Sequence, residues 1–197
     1  IIAERKEWPV LYHLSALREN IVDFLPMKKT DKVLEVGSGC GAITGALSKK
    51  AGRVTCVDLS KKRSLINAYR HSDCENVTIH VGNFTDVEPD LPTDYDYICL
   101  IGVFEYGQAY IGGKTPYEDL LKILQKHLAK EGRIVIAIEN KYGLKYFAGC
   151  KEDHLGDWFS GIENYPNGGV VRTFSRKKLE KIFDACGVGE RSFYYPY

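Results

Sequence analysis

Gly37, Gly39 and Gly41 stand at alternate positions directly after a short apolar run, Val33 to Val36, that carries one acid, Glu35. Glycine has no Cβ, so a chain spaced in this way can bend sharply and bring its backbone close to a ligand. Ile43, Leu47 and Ala51 then recur every four residues, the apolar stripe of a helix. The order expected is a strand, a tight turn and a helix start. Unpaired N–H groups and a partial positive charge at that helix end would face the turn. A nucleotide-like small molecule is the expected guest.

These residues need a frame to hold them. Period-two or continuously apolar runs predict strands at 32–36, 53–57, 77–81, 97–101 and 133–138, with a further strand at 190–195. Helical spacing predicts helices over 8–25, 41–50, 61–70, 115–128 and 176–185, with Ser15, Ser60 and Ser175 placed to cap three of them. Strands alternating with helices predict an α/β, Rossmann-like, doubly wound and mainly parallel sheet of six to seven strands, with helices on both faces. In such sheets the ligand lies beyond the carboxyl ends of the strands, at the switch in strand order. That rule nominates Gly37, Ser38, Gly39, Cys40 and Gly41, then Asp58 with Leu59, Asn83 with Phe84, Gly102 to Tyr106, and Glu139 to Lys141. The stretch 139–172 is long, irregular and rich in Gly, Asp and Tyr, which suits a loop or lid on the substrate side. Residues 1–30 are expected to form a helical region covering the ligand site, with His13 folded over it, and 31–197 the ligand-binding domain.

The chain has 197 residues, 44% hydrophobic and 27% charged, enough for one globular domain with a sizeable core. A net charge of +1 offers no electrostatic argument for nucleic acid or an anionic membrane. No apolar run approaches the roughly 18 residues of a membrane helix. Six cysteines, at 40, 56, 74, 99, 150 and 186, include no Cys-x-x-Cys pair. Neither a zinc site nor a disulfide framework is indicated, no metal is expected, and a reducing cytoplasm suits the thiols. The chain has no initiator Met, and both ends read as cut from a longer protein.

Two nucleotide cofactors compete for the turn. Gly37, Gly39 and Ala42 meet a loose dinucleotide fingerprint, and Asp58 ends the second strand, where it could grip ribose hydroxyls. An NAD(P)-dependent oxidoreductase is therefore one reading. Glu35 pulls the other way, because a buried acid needs a partner, and a pyrophosphate would repel it. S-adenosylmethionine carries an ammonium and a sulfonium and no phosphate, so it fits the acid better.

At this point the chain resembles the class I S-adenosylmethionine-dependent methyltransferases. Val33 to Gly41 is similar to their first motif, Asp58 to the acid on both ribose hydroxyls, and Asn83-Phe84 to the site beside adenine. Gly102 to Tyr106 is similar to the segment after strand four in small-molecule methyltransferases, often ending Leu-Glu-His, with Tyr106 in place of the His. A closer resemblance covers nearly the whole chain. Tyr12 to Ser15, Arg18 to Asn20, Ile138 to Gly149, Glu152 to His154, Gly161 to Tyr165 and Val171 to Ser175 resemble a bacterial group of methyltransferases. Members of that group accompany, or are fused to, glycosyltransferases of surface-polysaccharide assembly.

The resemblance implies methyl transfer to oxygen or nitrogen of a small polar or glycan acceptor, beside a fused or neighbouring glycosyltransferase. It implies a cofactor site of Glu35, the glycine turn from Gly37 to Gly41, Asp58, Leu59, Asn83, Phe84, Gly102 and His13. The strand-carboxyl rim makes His154, beside Asp153, and Glu105 the candidate bases. Tyr106, Asn140, Asp153 and Glu163 are the candidate acceptor-binding groups. Ile101 to Phe104 lacks the Asn/Asp-Pro-Pro-Tyr/Phe of enzymes that methylate planar amino groups, which with the neutral charge argues against DNA or tRNA bases. The expected partners thus exclude nucleic acid and a membrane span. A non-catalytic cofactor-binding module in polysaccharide assembly is the remaining alternative.

Overall fold

The structure is a computed structural model and describes residues 7–195. Five strands form one sheet: β1 Lys32–Val36, β2 Arg53–Asp58, β3 Val77–Val81, β4 Tyr95–Ile101 and β5 Leu128–Ala137. Their order is β3-β2-β1-β4-β5, and every pairing is parallel. The chain runs outward from β1 to β3, then returns to the other side of β1 for β4. The switch in strand order therefore falls between β1 and β4, beyond Val36 and Ile101. β1 is central, and Val33 to Val36 are all buried. The continuous apolar run of β4 at 97–101, matched in β1 but for Glu35, is what strands covered on both faces require.

The chain divides into two compact units. The first comprises Ile1–Val103 with Lys126–Ala137, and holds the sheet. Its core joins Val22, Val33, Leu47, Val54, Cys56 and Cys99. It also carries α1 Trp8–Leu14, a 3-10 turn Ala16–Glu19, α2 Asn20–Asp23, α3 Thr44–Lys50, α4 Lys61–Arg70 and α5 Phe84–Val87. The helix expected over 8–25 is broken at Ser15, which is extended and accepts the Leu17 N–H at 3.2 Å. A helix start expected near Gly41 is delayed to Thr44, because Gly41 has φ +74°. Ser60 caps α4 by accepting the Arg63 N–H at 3.4 Å.

The strand expected from 133 begins earlier, at Leu128, and Glu131-Gly132 lies in a bulge inside it, where Tyr95 pairs with Leu128 and Tyr97 with Arg133. A Cβ on Gly132 would lie 2.6 Å from the Tyr95 carbonyl oxygen, so glycine alone permits that approach.

The second unit comprises Phe104–Gln125 with Ile138–Tyr197. It contains α6 Gly107–Tyr110, most of α7 Pro116–Lys126, α8 Leu144–Phe147 and α9 Arg176–Ala185. Phe104, Tyr117 and Phe174 pack ring on ring, with centroids 4.7–5.8 Å apart. Among the described residues the sheet has five strands, not six to seven. The segment expected as a strand at 190–195 has no regular structure. Its side chains are committed to α9 instead: Arg191 meets Asp184 at 2.7 Å, Phe193 lies 6.3 Å from the Phe183 ring, and Arg176 sits over Phe193. The six cysteines are free thiols. Among the described residues, no helix is long and apolar enough to cross a membrane.

Candidate functional site

The glycine turn of the first unit is shaped by left-handed backbone at Gly37, Gly39 and Gly41. A Cβ on Gly37 would meet Val103 at 2.4 Å, and one on Gly41 would meet the Asn67 amide oxygen at 2.3 Å. Gly39 differs, since a Cβ there meets nothing within 4 Å, so its backbone borders open space. Asp58, at the end of β2 and 4% exposed, fastens this turn. Its Oδ2 accepts the Gly39 N–H and its Oδ1 the Ser60 N–H, each at 2.8 Å. Arg63 lies 3.5 Å from Oδ1. Each carboxylate oxygen keeps a lone pair beyond these bonds.

Glu35 is buried beneath the turn. Its Oε2 accepts from the Thr44 hydroxyl at 2.6 Å and the Cys56 thiol at 3.4 Å. The Asn67 amide in turn donates to Thr44 at 3.2 Å, so β1, α3 and α4 are joined through one acid. Burial pushes the Glu35 carboxyl up to about 7, against the lowering effect of Thr44 and Cys56. No basic side chain among the described residues is within ion-pair distance to offset its charge. Thr44 and Asn67 are partners of Glu35 that sequence reasoning passed over. The signal available was a polar pair, at 44 and 67, on helix faces otherwise turned to the core.

The remaining residues nominated in this unit are placed as follows. Asn83, leading α5, has a buried Oδ1 with no hydrogen-bond partner, and Phe84 beside it is buried. Gly102 is left-handed, and its N–H donates to the Ala137 carbonyl at 2.8 Å. Ser38 and Cys40 are buried in the turn, whereas Leu59 is exposed. His13 is tethered through its carbonyl, which accepts from Arg70 at 2.9 Å. Burial, then Arg63 and Arg18, lower the pKa of its ring. An unpartnered buried acceptor, an acid without a counter-charge and an open glycine backbone fit a cationic nucleoside.

The second unit brings together a different set. His154 Nε2 lies 3.8 Å from Glu105 Oε1 and 3.9 Å from Glu139 Oε2. On the other side of the ring, Nδ1 lies 2.9 Å from Glu152 Oε1. Glu152 is itself pinned: its Oε2 accepts the N–H groups of His154 and Leu155 at 2.8 and 2.7 Å, and its Oε1 the Tyr165 hydroxyl at 3.2 Å. The Glu105 partnership, over the opposing effect of burial, raises the His154 pKa to about 9, with help from Glu152 and Glu139. Burial raises the Glu105 carboxyl. Burial also works to raise Glu152, but the bonds from His154 and Leu155 outweigh it and hold that carboxyl below its ordinary value. Tyr106 stands edge-on to the His154 ring, centroids 5.7 Å apart.

Asp153 is not the carboxylate that holds His154. It accepts from the Tyr146 hydroxyl at 2.5 Å and from Lys145 at 2.6 Å. The partner is Glu152, two residues before the histidine, because the turn at 152–155 folds the backbone N–H groups and the ring onto the same carboxylate. Asn140 uses its side-chain oxygen on the Tyr142 N–H at 3.1 Å, and Glu163 is exposed. Among the described residues, neither side chain forms a hydrogen bond or ion pair with the His154 cluster.

A parallel sheet with a glycine turn at its switch point and an acid after β2 defines a class: a Rossmann-like domain holding a nucleoside cofactor. Residues 11–188 match the model of a family described as a methyltransferase domain, and the chain belongs to that family. Its cofactor is S-adenosylmethionine, and the oxidoreductase reading falls away. Ribosomal RNA small subunit methyltransferase A of Borrelia garinii subsp. bavariensis is 31% identical over 196 residues, 98% of this chain and 60% of that protein. A Methanococcus maripaludis protein named as a cobalt-precorrin-6B C(15)-methyltransferase (decarboxylating) is 29% identical over 119 residues, 59% of each chain. The solved DhpI–SAM–HEP complex shares the fold, with a TM-score of 0.62 at 18% identity, over 94% of this chain and 84% of that one. The chain spans about 60% of the length of these curated relatives.

The expectation that nucleic acid is excluded as a partner is overturned by the ribosomal RNA methyltransferases, which align with 98% of the chain. The physical error is plain. Net charge is a sum over the whole surface, and the exposed run Lys61, Lys62, Arg63 shows how a near-neutral chain can still carry local positive charge.

Proposed function

We propose that this chain transfers the methyl group of S-adenosylmethionine to oxygen or nitrogen of a polar acceptor of the small-molecule or glycan type. The observation that carries the reading is the buried Glu105 facing His154, a carboxylate able to take up a proton in partial isolation from water while the imidazole holds it in place. The likeness of Ile138 to Gly149 and Val171 to Ser175 to methyltransferases of surface-polysaccharide assembly supports the glycan class.

The cofactor supplies an electrophilic methyl on a sulfonium, with a neutral thioether as leaving group. The chain's own work is then mostly placement. Gly37 to Gly41, Asp58, Leu59, Asn83, Phe84, Gly102 and His13 hold the nucleoside, while Glu35 sets a negative charge under a cationic group. Alignment of this kind contributes roughly 7–11 kcal/mol to a barrier. Tyr106, Asn140, Asp153 and Glu163 are the acceptor-side groups. The proton released from a hydroxyl or ammonium passes to the Glu105 carboxylate beside His154, worth roughly 10²–10⁴-fold.

A second reading, favoured by relatives that align along 98% of the chain, makes the acceptor ribosomal RNA. Purified chain incubated with methyl-tritiated cofactor separates the two. Label in a polysaccharide or small-glycan fraction supports the first reading, and label confined to small-subunit RNA replaces it with the second. Cofactor binding without transfer to either would leave a non-catalytic module.

A further inference from the structure

We propose that Glu105, Glu139 and His154 form a binding site for one divalent first-row cation of the kind that takes mixed oxygen and nitrogen ligands. One ligand atom from each residue lies within 4.8 Å of the other two. An ion with bonds of about 2.0–2.2 Å holds its ligands up to about 4.2 Å apart. The 3.8 and 3.9 Å separations from His154 Nε2 fall inside that span, so only the two carboxylates need close up slightly.

Two independent observations point to a ligand there. First, the Glu105 side chain is 2% exposed and its Oε2 has no hydrogen-bond partner, and Glu139 Oε2, a buried atom 3.9 Å from His154 Nε2, makes no hydrogen bond either. A buried carboxylate oxygen with nothing bound to it is costly. Second, the histidine is set up as a ligand. Its Nδ1 is engaged by Glu152, which leaves Nε2 as the nitrogen facing two carboxylate oxygens. Two carboxylate oxygens and one imidazole nitrogen converge on one point, where either a proton on Nε2 or a cation in its place must sit. Among the described residues, no lysine or arginine nitrogen is within ion-pair distance of Glu105, Glu139 or Glu152, so a dipositive ion balances the site better than one proton does. The carboxylate behind a ligating imidazole is the usual support that fixes its orientation. Glu139, 30% exposed, offers the way in. The three residues come from separate segments, so no spacing in the sequence could announce them.

The site stands on these contacts alone and does not depend on the acceptor proposed above. The probe is Mn²⁺ with the full chain, without cofactor or acceptor, followed by electron paramagnetic resonance and calorimetry. Manganese prefers oxygen and imidazole to thiolate, so the free cysteines do not compete. The expected result is one saturable Mn²⁺ per chain, lost in Glu139→Ala and His154→Gln and weakened about 10–100-fold in Glu152→Gln. Glu139→Ala removes a partly exposed side chain, so it disturbs the fold less than a change at the buried Glu105, and circular dichroism checks that. No saturable Mn²⁺ binding by the wild-type chain, or equal binding by Glu139→Ala and His154→Gln, overturns the site. Mn²⁺ binding without methyl transfer to any acceptor would sink the acceptor reading and leave the cation site intact.

Discussion

Glu35 and Glu105 are both carboxylates with almost no exposed surface, one in each compact unit, and their surroundings treat them differently. Glu35 is enclosed by neutral donors, a hydroxyl and a thiol, and through Thr44 and Asn67 it couples a strand to two helices. Glu105 faces an imidazole across 3.8 Å and keeps one oxygen unpartnered. The first acid is built into a scaffold, so removing it disturbs how the glycine turn is held. The second is left poised, so removing it disturbs what can be bound or deprotonated. Burial alone does not tell a positioning acid from a reactive one, whereas the kind and completeness of its partners does.

The scaffold side is broken most severely at Gly41. Alanine there must hold a left-handed backbone, at about 1–2 kcal/mol, and force its Cβ into the fully buried Asn67. With the overpacking cost added, Gly41→Ala should lower stability by about 2–5 kcal/mol in urea unfolding and weaken cofactor binding sharply in calorimetry. Gly39→Ala has no such clash and should keep the fold. Equal stability losses in the two variants would mean that the turn does not act through Asn67.

Glu35 makes a prediction with a sign. Its folded-state pKa is raised, to about 7 from an ordinary 4.5. The unfolded chain releases that proton first as pH rises, so the stability from the protonated form is whole below about 4.5 and lost as pH passes about 7. The loss should reach about 3 kcal/mol in cofactor-free protein. Glu35→Gln cannot titrate and should therefore gain on the wild type across that window. A parallel pair of stability curves would show that Glu35 is ionised throughout.

Within the second unit, Glu152 and Asp153 are neighbours in sequence with unequal duties. Glu152 accepts four hydrogen bonds while 3% exposed, and Gln in its place turns an acceptor into a donor facing N–H groups. Glu152→Gln should cost about 1–3 kcal/mol in urea unfolding. Asp153→Asn, beside a half-exposed lysine, should cost under about 1 kcal/mol. The reverse order would restore Asp153 as the histidine's partner.

These contrasts also mark how far the sequence could be read. The glycine turn, the acids at 35 and 58 and the five strands are local: each is signalled by period, by an apolar run or by turn chemistry within a few residues. The His154 cluster is assembled from 105, 139, 152 and 154, and no periodicity links them. Adjacency suggested Asp153, but the direction in which a loop side chain points is decided by which backbone N–H groups need a partner. The strand expected at 190–195 ends in the aromatic residues that strands favour, and it was lost to a tertiary preference, the contacts of Arg191 and Phe193 with α9. The continuous helix over 8–25 failed because Ser15 satisfies its own local turn.

The finest comparison uses one chemistry placed in both units. Ser60 caps α4 by accepting the Arg63 N–H at 3.4 Å, and Ser175 caps α9 by accepting the Lys178 N–H at 3.3 Å. Each loss to alanine should cost about 0.5–1 kcal/mol, measured by thermal or urea unfolding, because an orphan N–H at the helix start goes unpaired. Binding should separate them. The Ser60 backbone N–H is held by Asp58, the acid that also fixes Gly39, so loosening the start of α4 reaches the turn proposed to hold the cofactor. Ser60→Ala should therefore raise the cofactor Kd by a few-fold, while Ser175→Ala leaves it unchanged. Equal Kd values in both variants would show that Asp58 holds the turn without help from the helix cap, and the coupling would then end at the carboxylate.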